Sequence, residues 1–251
     1  MSPLVSLITV CYNSASTIAD TFESVLAQEH RPLEYLIIDG ASTDDTMAIA
    51  EKYRPRFEAK GIDFRASSEP DDGLYDAMNK GIRQAQGELI GIVNSDDWYE
   101  PDTVATAVEA YAQNPENVVY GMLRIYKEER LYMLRQYTHH FLHEHICQHP
   151  TWFVPRKLYD KYGLFDTQYR VAGDFDLAQR LRQAGVGFTR LEKVMSNFRI
   201  GGNSTQSDRG FLEYAEIRYK YGIISKEERD GLRLRYRYGR LKSRVRGWLM
   251  G

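Results

Sequence analysis

The 251-residue sequence lacks the features of a secreted, membrane-spanning or nucleic-acid-binding protein. It has two cysteines, Cys11 and Cys147, which are too few for a disulfide framework. No apolar run approaches the roughly 20 residues of a transmembrane helix. The N-terminus has neither the basic start nor the long apolar core of a signal peptide. A net charge of −2 argues against a nucleic-acid partner. These absences favour a protein of the reducing cytoplasm.

The first part of the chain instead alternates between apolar strand patterns and amphipathic helix patterns. Repeated strand–helix units predict a mainly parallel sheet with right-handed crossovers. The predicted strands are 4–10, 33–39, 62–67 and 88–93, and the predicted helices are 14–28, 44–57, 74–86 and 102–113.

The pattern changes after residue 114, and no linker composition divides the chain. The end of the chain reads as helical and basic. We therefore predict one α/β domain over residues 1–210, with halves at 1–114 and 115–210, and a helical extension over 211–251. The second half has a predicted hairpin over 118–126 and 130–137, a helix over 173–184 and a strand over 187–195.

Carboxylates follow two of the predicted strands at the point where each strand ends. Asp39 follows the apolar run 33–38, and Asp96 and Asp97 follow the run 88–93. Open α/β sheets bind ligands at the carboxyl ends of their strands. Asp39 can accept a hydrogen bond from a base or ribose, whereas Asp96 and Asp97 are hard ligands suited to Mg²⁺ or Mn²⁺. A metal there would bridge a diphosphate, which predicts chemistry on a nucleoside diphosphate. The alternative is that all three are turn residues.

Four segments of the chain carry a family resemblance: an opening strand that ends in Tyr-Asn (5–13), an acidic segment after the second strand (39–44), the stretch 69–81, and the acidic segment 94–97. In this order and at this spacing they resemble the family 2 glycosyltransferases over roughly residues 4–204. Segment 39–44 resembles the second nucleotide segment of the family, and 69–81 is similar to a stretch of a bacterial surface-polysaccharide subgroup of the colanic acid or capsule type. Segment 94–97 occupies the place of the metal-binding DxD motif, where Asn94 replaces the first Asp.

The resemblance implies a GT-A fold, which is a Rossmann-like, mainly parallel sheet flanked by helices, with a C-terminal helical extension in this chain. It also implies that residues 1–114 bind the nucleotide and residues 115–210 the acceptor.

The resemblance assigns residues to a donor nucleotide and its metal. The aromatic face of Tyr12 would lie against the base. Two adjacent acids after a buried strand repel each other without a cation, which favours a bound metal over a simple turn. The implied nucleotide-binding residues are Tyr12, Asn13, Asp39, Ser42 and Asp96, and the implied ligands of Mn²⁺ or Mg²⁺ are Asp96 and Asp97.

Asp174 is the predicted catalytic base. The segment 171–177 resembles the family segment that carries this base, often preceded by Glu where this chain has Gly173. A carboxylate near the acceptor hydroxyl can remove its proton as the sugar carbon is attacked. Asp176 is the second candidate, and its spacing from Asp174 puts it on another side of the helix. The alternative for Asp174 is an acid of the first helical turn, stabilised by the helix dipole.

Four residues are candidates for contact with the acceptor or the diphosphate: Asp72, His149, Asp176 and Gly202. His149 lies in a segment that resembles the family segment just before the catalytic helix, and a loop histidine bonded within the protein is the alternative. Gly202 lies in a glycine- and serine-rich loop that forms either a lid over the donor or an ordinary connection. The related subgroup often has a basic residue where Asp72 stands.

The tail from Lys226 onward is strongly basic. Its arginines flank an apolar stripe at helical spacing from Leu234 to Trp248. A basic amphipathic helix of this kind can lie on an anionic membrane surface, here the cytoplasmic face of the inner membrane. The alternative is that the stripe packs on the domain or on a second subunit of a homo-oligomer.

Together with these features, the resemblance to family 2 implies an inverting glycosyltransferase with a lipid-linked acceptor. It would move a sugar from a nucleoside diphosphate, in the first instance UDP, to a hydroxyl of a lipid-linked glycan such as one carried on polyprenyl diphosphate. A nucleotidyltransferase is the first alternative, and the absence of a Gly-rich basic phosphate loop after the first strand disfavours it. A non-catalytic nucleotide-sugar or membrane-binding module is the second, and Asp96, Asp97 and Asp174 disfavour it.

Overall fold

The computed structural model describes residues 2–143, 148–201 and 208–236, in which one sheet is covered by helices on both faces. The strands are β1 (Val5–Cys11), β2 (Leu33–Asp39), β3 (Ile62–Ser68), β4 (Leu89–Ile92), β5 (Trp98–Tyr99), β6 (Val118–Lys127), β7 (Arg130–Arg135), β8 (Phe153–Pro155) and β9 (Phe188–Arg199). The helices are α1 (Ile18–Leu26), α2 (Thr46–Ala59), α3 (Leu74–Gln84), α4 (Thr103–Gln113), α5 (Arg156–Tyr162), α6 (Gly173–Gln183) and α7 (Asp208–Lys220). Residues 226–236 are also helical.

The sheet has the order β3-β2-β1-β4-β8-β6-β9-β5, with β7 paired to β6. The first four strands of this order are parallel, as predicted. From β8 onward the pairing is mixed. Strand β8 runs antiparallel to β4 and β6, the predicted β6–β7 hairpin and the β5–β9 pair are also antiparallel, and β6 and β9 are parallel. In register, Cys11 lies beside Asp39 and Asp39 beside Ser68, so the loops that follow these strands meet at one edge.

The central strands are apolar on both faces because both faces are covered. Successive side chains of β1 point to opposite sides, so Leu7 joins the cluster that contains Phe22 and Phe57, while Ile8 joins the cluster that contains Met78. The helices α1 and α2 therefore cover one face, and α3 covers the other. This packing fixes the strand ends at which the candidate site lies.

Two predicted boundaries need correction. Helix α2 begins at Thr46, so Asp44 and Asp45 precede it and do not lie in its first turn. The Asp44 carboxylate accepts hydrogen bonds from the backbone of Thr46 and Ala15, both at 3.0 Å, which holds the chain in a turn before the helix. The predicted strand 187–195 continues to Arg199 because its end pairs with β5.

The C-terminal helices extend from a third, small core. Phe175 of α6 packs with Ile217 of α7, and the predicted boundary at residue 210 falls inside α7. In the helical segment 226–236, Leu234 is 64% exposed. The rest of the predicted stripe lies outside the described residues. None of the helices in the described ranges is long and apolar enough to cross a membrane.

Candidate active site

A pocket of about 570 Å³ opens where β1 and β4 end. Its walls come from residues 10–14 after β1, 94–96 after β4 and 198–201 at the end of β9, together with Arg170 and residues of the loop before α3. Its volume is in the range of small-molecule sites in proteins. Three of the predicted site residues line it: Tyr12, Asn13 and Asp96.

Asn13 and Ser42 join the loops that follow β1 and β2. Asn13 has a φ of 50°, a left-handed conformation that Asn tolerates better than most residues. Its Oδ1 accepts a hydrogen bond from the backbone of Thr43 at 2.9 Å, and its own N–H donates to Ser42 Oγ at 2.8 Å. These two hydrogen bonds hold the two loops together. The ring of Tyr12, the residue before Asn13, lies at the pocket wall and is 61% exposed.

Asp39 is fully buried and does not line the pocket. Its carboxylate accepts from the backbone N–H and hydroxyl of Ser42, at 2.9 and 2.5 Å, and from Ser68 Oγ at 2.6 Å. Asp71, on the loop before α3, lines the pocket in its place, and a Cβ placed on Gly40 would collide with its Oδ2. Asp39 therefore fixes the loop, and Asp71 joins Asp96 as an acid within reach of a ligand.

Asp96 and Asp97 occupy different environments. Asp96 lines the pocket, whereas Asp97 is fully buried behind it. Asp97 Oδ1 accepts from the backbone N–H of Arg199 at 3.2 Å, and Oδ2 accepts from Asn94 Nδ2 at 3.3 Å. Burial raises the pKa of both carboxyls, the negative charge of Asp96 raises the pKa of Asp97 further, and the Arg199 guanidinium opposes both effects. The Arg199 guanidinium therefore offsets the negative charge of the two acids only in part.

The donor set fits a metal ion that is shared with a ligand. Among the described residues, no three His, Cys, Asp or Glu side chains are placed to hold a metal together. Mg²⁺ and Mn²⁺ commonly bind nucleotides through one or two carboxylates, with phosphate oxygens and water completing the shell. Asp96 can supply such a carboxylate at the pocket, and a divalent cation would offset the charge of both acids.

Asp174 lies at the start of α6, is 8% exposed and is not one of the residues that line the pocket. It is connected to the pocket wall through Tyr75, which follows the wall residue Leu74. Its Oδ1 accepts from the backbone N–H of Phe175 at 2.8 Å and from the Tyr75 hydroxyl at 3.2 Å. His149 Nδ1 lies 3.2 Å from its Oδ2. A Cβ on Gly173 would lie 2.7 Å from the Tyr75 ring, which explains why glycine precedes Asp174 here.

Two further candidates, Asp176 and Asp72, do not line the pocket. Asp176 is fully buried and pairs with Arg180 at 2.8 Å and with Lys220 at 2.7 Å, so it ties α6 to α7 and is not available to an acceptor. Two residues after Asp174, it points to another side of the helix. Asp72 is exposed away from the pocket, and Gly202 lies outside the described residues.

Sequence patterns missed Arg170. Its exposed side chain lines the pocket, and its Nη1 would lie 2.8 Å from a Cβ on Gly73, where a φ of 109° also favours glycine. The Glu213 carboxylate of α7 accepts the backbone N–H groups of Arg170, Val171 and Ala172, at 2.8 to 3.1 Å. A helix that the sequence assigned to the extension thus holds a loop of the site.

Known proteins share this sequence pattern. The family model described as Glycosyl transferase family 2 matches residues 6–178. An uncharacterized glycosyltransferase of Mycobacterium tuberculosis is 33% identical over 189 residues, which are 71% of this chain and 69% of the relative. A PGL/p-HBAD biosynthesis glycosyltransferase of Mycobacterium bovis is 29% identical over 237 residues, which are 88% of each chain.

Solved structures share the fold. The structure of S. aureus TarS 1-349 in complex with UDP-GlcNAc matches with a TM-score of 0.71 at 18% identity, over 91% of this chain and 70% of that chain. This chain spans 42% of a longer TarS structure. The mannosyltransferase PcManGT from Pyrobaculum calidifontis, solved with GDP-Man and Mn²⁺, matches with a TM-score of 0.65 at 20% identity, over 88% and 62%. These likenesses confirm the predicted GT-A fold. The family match, which covers more than half of the chain, shows that the protein belongs to glycosyl transferase family 2 and is a glycosyltransferase.

Proposed function

We propose that the protein transfers a sugar from a UDP-linked donor to a hydroxyl group of a glycan, with inversion at the sugar carbon. The observation that carries this proposal is one pocket with Tyr12 and Asp96 on its walls, connected to the Asp174 carboxylate through Tyr75, the neighbour of the wall residue Leu74. A related fold has been solved with UDP-GlcNAc and another with GDP-Man, so GDP is the second candidate nucleotide.

The donor nucleotide would be held by the exposed groups of the pocket. The Tyr12 ring can stack on the base. The Asp71 carboxylate can accept from a base N–H or a ribose hydroxyl. Arg170 can bind diphosphate oxygens in the bidentate manner of a guanidinium. When Mn²⁺ or Mg²⁺ is bound, it neutralises charge on the departing diphosphate, and Asp96 would hold it.

Asp174 would act as the base in a single displacement. The acceptor hydroxyl oxygen forms a bond to the sugar carbon as the bond from that carbon to the diphosphate oxygen breaks. The bonding electron pair leaves with the nucleoside diphosphate, and the acceptor proton passes to Asp174. No enzyme nucleophile is needed, and the configuration at the sugar carbon inverts.

The acceptor would be a lipid-linked glycan, met at an anionic membrane on the cytoplasmic side. The basic tail supports this proposal, and it is the tail beyond residue 236 that would bind. The described start of the tail packs on α7, since Arg233 pairs with Glu216 at 2.9 Å and Tyr236 stacks on Phe211.

Product analysis tests the proposal. The protein is incubated with UDP- and GDP-sugars, Mn²⁺ and a lipid-linked glycan acceptor, and the released phosphate compounds are identified. Release of nucleoside diphosphate is expected. Pyrophosphate would instead indicate a nucleotidyltransferase, and binding without any turnover would indicate a non-catalytic module. Asp174→Asn should lower turnover by about 10²-fold or more, the usual scale for a general base, with donor affinity unchanged. Near-normal turnover of this variant would overturn the base assignment.

A further inference from the structure

The proposed base has a histidine partner that no sequence motif indicates. His149 lies in a short 3-10 turn just before β8, and its Nδ1 is 3.2 Å from Asp174 Oδ2. The two side chains are 14% and 11% exposed, so water screens this contact little. His149 Nε2 is buried and has no hydrogen-bond partner in the part of the chain that the structure describes.

This geometry fixes the tautomer of neutral His149. An ionised carboxylate only accepts hydrogen bonds, so the ring proton must lie on Nδ1 for the contact with Asp174 to be favourable. Nε2 is then a bare ring nitrogen. The alternative tautomer would place an N–H group at Nε2, where the described residues offer a buried donor no acceptor. It would also turn the lone pair of Nδ1 toward the carboxylate.

His149 is the side chain that contacts Oδ2 of Asp174, with its Nδ1 at 3.2 Å. The Tyr75 hydroxyl has one hydrogen, and the carbonyl oxygen of Val171, at 2.8 Å, is nearer to it than Asp174 Oδ1, at 3.2 Å. The backbone N–H of Phe175 donates to Oδ1 and not to Oδ2. Without His149, the carboxylate could rotate about its bond to the Cβ atom.

We propose that His149 is a positioning residue that holds Oδ2 of Asp174 in place to receive the acceptor proton. The inference rests on the proposed role of Asp174 as the base. Oδ1 accepts from the N–H of Phe175 and faces the hydroxyl of Tyr75, whereas the contact of Oδ2 within the described residues is His149 Nδ1 at 3.2 Å. One lone pair of Oδ2 therefore stays open to the acceptor hydroxyl. His149 does not line the donor pocket, so its effect falls on turnover and not on donor binding.

Two amide variants and one apolar variant test this role. The side-chain nitrogen of the amide in His149→Asn falls close to the place of Nδ1, whereas in His149→Gln it lies one bond farther along the side chain. We expect His149→Leu and His149→Gln to lower kcat by about 10- to 100-fold, the scale of a small misplacement of a catalytic group. His149→Asn should restore kcat to within a few-fold of the wild type. The affinity for UDP with Mn²⁺ should be unchanged in all three.

A double-mutant cycle with Asp174→Asn decides whether His149 acts through the base. His149→Leu should cause no further loss of kcat in the Asp174→Asn background. An equal loss in both backgrounds, or an equal loss in the Asn and Gln variants, would overturn the positioning role while leaving the base assignment intact. If Asp174→Asn alone keeps full turnover, both assignments are wrong. Should the Leu variant fail to fold, the Asn and Gln pair decides the question.

Discussion

Replacing Asp97 by asparagine should stabilise the ligand-free protein and weaken its response to metal. Asp97 is fully buried, and its pKa is raised by burial and by the charge of Asp96. The amide in Asp97→Asn has nearly the same shape. Its oxygen can still accept from the backbone of Arg199. Once the Asn94 amide flips, the nitrogen of the variant amide can donate to Asn94 Oδ1, which is buried and has no hydrogen-bond partner among the described residues.

The expected increase in the free energy of unfolding arises because Asp97→Asn keeps two hydrogen bonds and removes one buried charge. Neutral replacement of buried charges stabilises proteins by about 1–4 kcal/mol in favourable cases, and we expect a value of about 1–3 kcal/mol at pH 7. For a chain of this length, each kcal/mol moves the melting temperature by about 2–4 °C. Asp63→Asn is a matched control, because the Asp63 side chain is 65% exposed.

Thermal unfolding in EDTA across pH is the assay. A carboxyl whose pKa is higher in the folded state stabilises the fold below its unfolded pKa of about 3.9, and this contribution is lost as pH rises through the folded pKa. The free energy of unfolding of the wild type should therefore fall with rising pH above about 4, and more steeply than that of Asp97→Asn. Added Mn²⁺ and UDP should stabilise the wild type more than the variant.

A single outcome would refute this reasoning. If Asp97→Asn is less stable than the wild type in EDTA from pH 5 to pH 8, Arg199 already compensates the charge of Asp97. Asp96 and Asp97 would then need no further positive charge, and the physical argument for a metal beside Asp96 would be lost.

Three further results are expected. Arg170→Ala should weaken binding of the nucleoside diphosphate by about 10- to 100-fold in calorimetry, the scale of one or two charge-assisted hydrogen bonds, while Arg182→Ala, an exposed arginine away from the pocket, should leave it unchanged. Glu213→Gln should lower the free energy of unfolding in chemical denaturation by about 1–3 kcal/mol, because the amide group cannot satisfy the same backbone donors; unchanged stability and turnover would mean that α7 does not support the site. The intact protein should co-sediment with anionic but not neutral liposomes, and salt should weaken this binding; no binding at low salt would favour packing of the tail on the domain or on a second subunit.

The strands of the first half and their parallel pairing follow from sequence, because most of them are apolar runs that end in a turn signal and alternate with helices. The environments of the acids do not follow from sequence. Asp39 ends β2 and Asp71 lies shortly after β3, yet the structure encloses Asp39 beside Ser68 while Asp71 lines the pocket. Asp96 and Asp97 are adjacent in sequence, yet one lines the pocket and the other is buried behind it.

Contacts between distant segments could not be read from local patterns at all. Glu213 holds the backbone of Arg170 from 43 residues away, and His149 meets Asp174 across the loop and helix that separate them. Neither pair has a spacing that helix or strand periodicity predicts. The predicted start of α2 at residue 44 is wrong for a related reason. The Asp44 side chain accepts a hydrogen bond from the backbone of Thr46, and this bond competes with helix formation at Asp44.

Calorimetric titration of the protein with UDP and Mn²⁺ is the most direct test that this pocket binds a nucleotide donor through a metal at Asp96. Wild-type protein should bind UDP with Mn²⁺ at least about tenfold more tightly than in EDTA, a difference of about 1.4 kcal/mol. Asp96→Asn should lose that difference while keeping its melting temperature in EDTA. Equal affinity for UDP in the wild type with Mn²⁺, in the wild type with EDTA and in Asp96→Asn would contradict the metal site, and absence of binding of both UDP and GDP under all conditions would contradict the donor pocket itself.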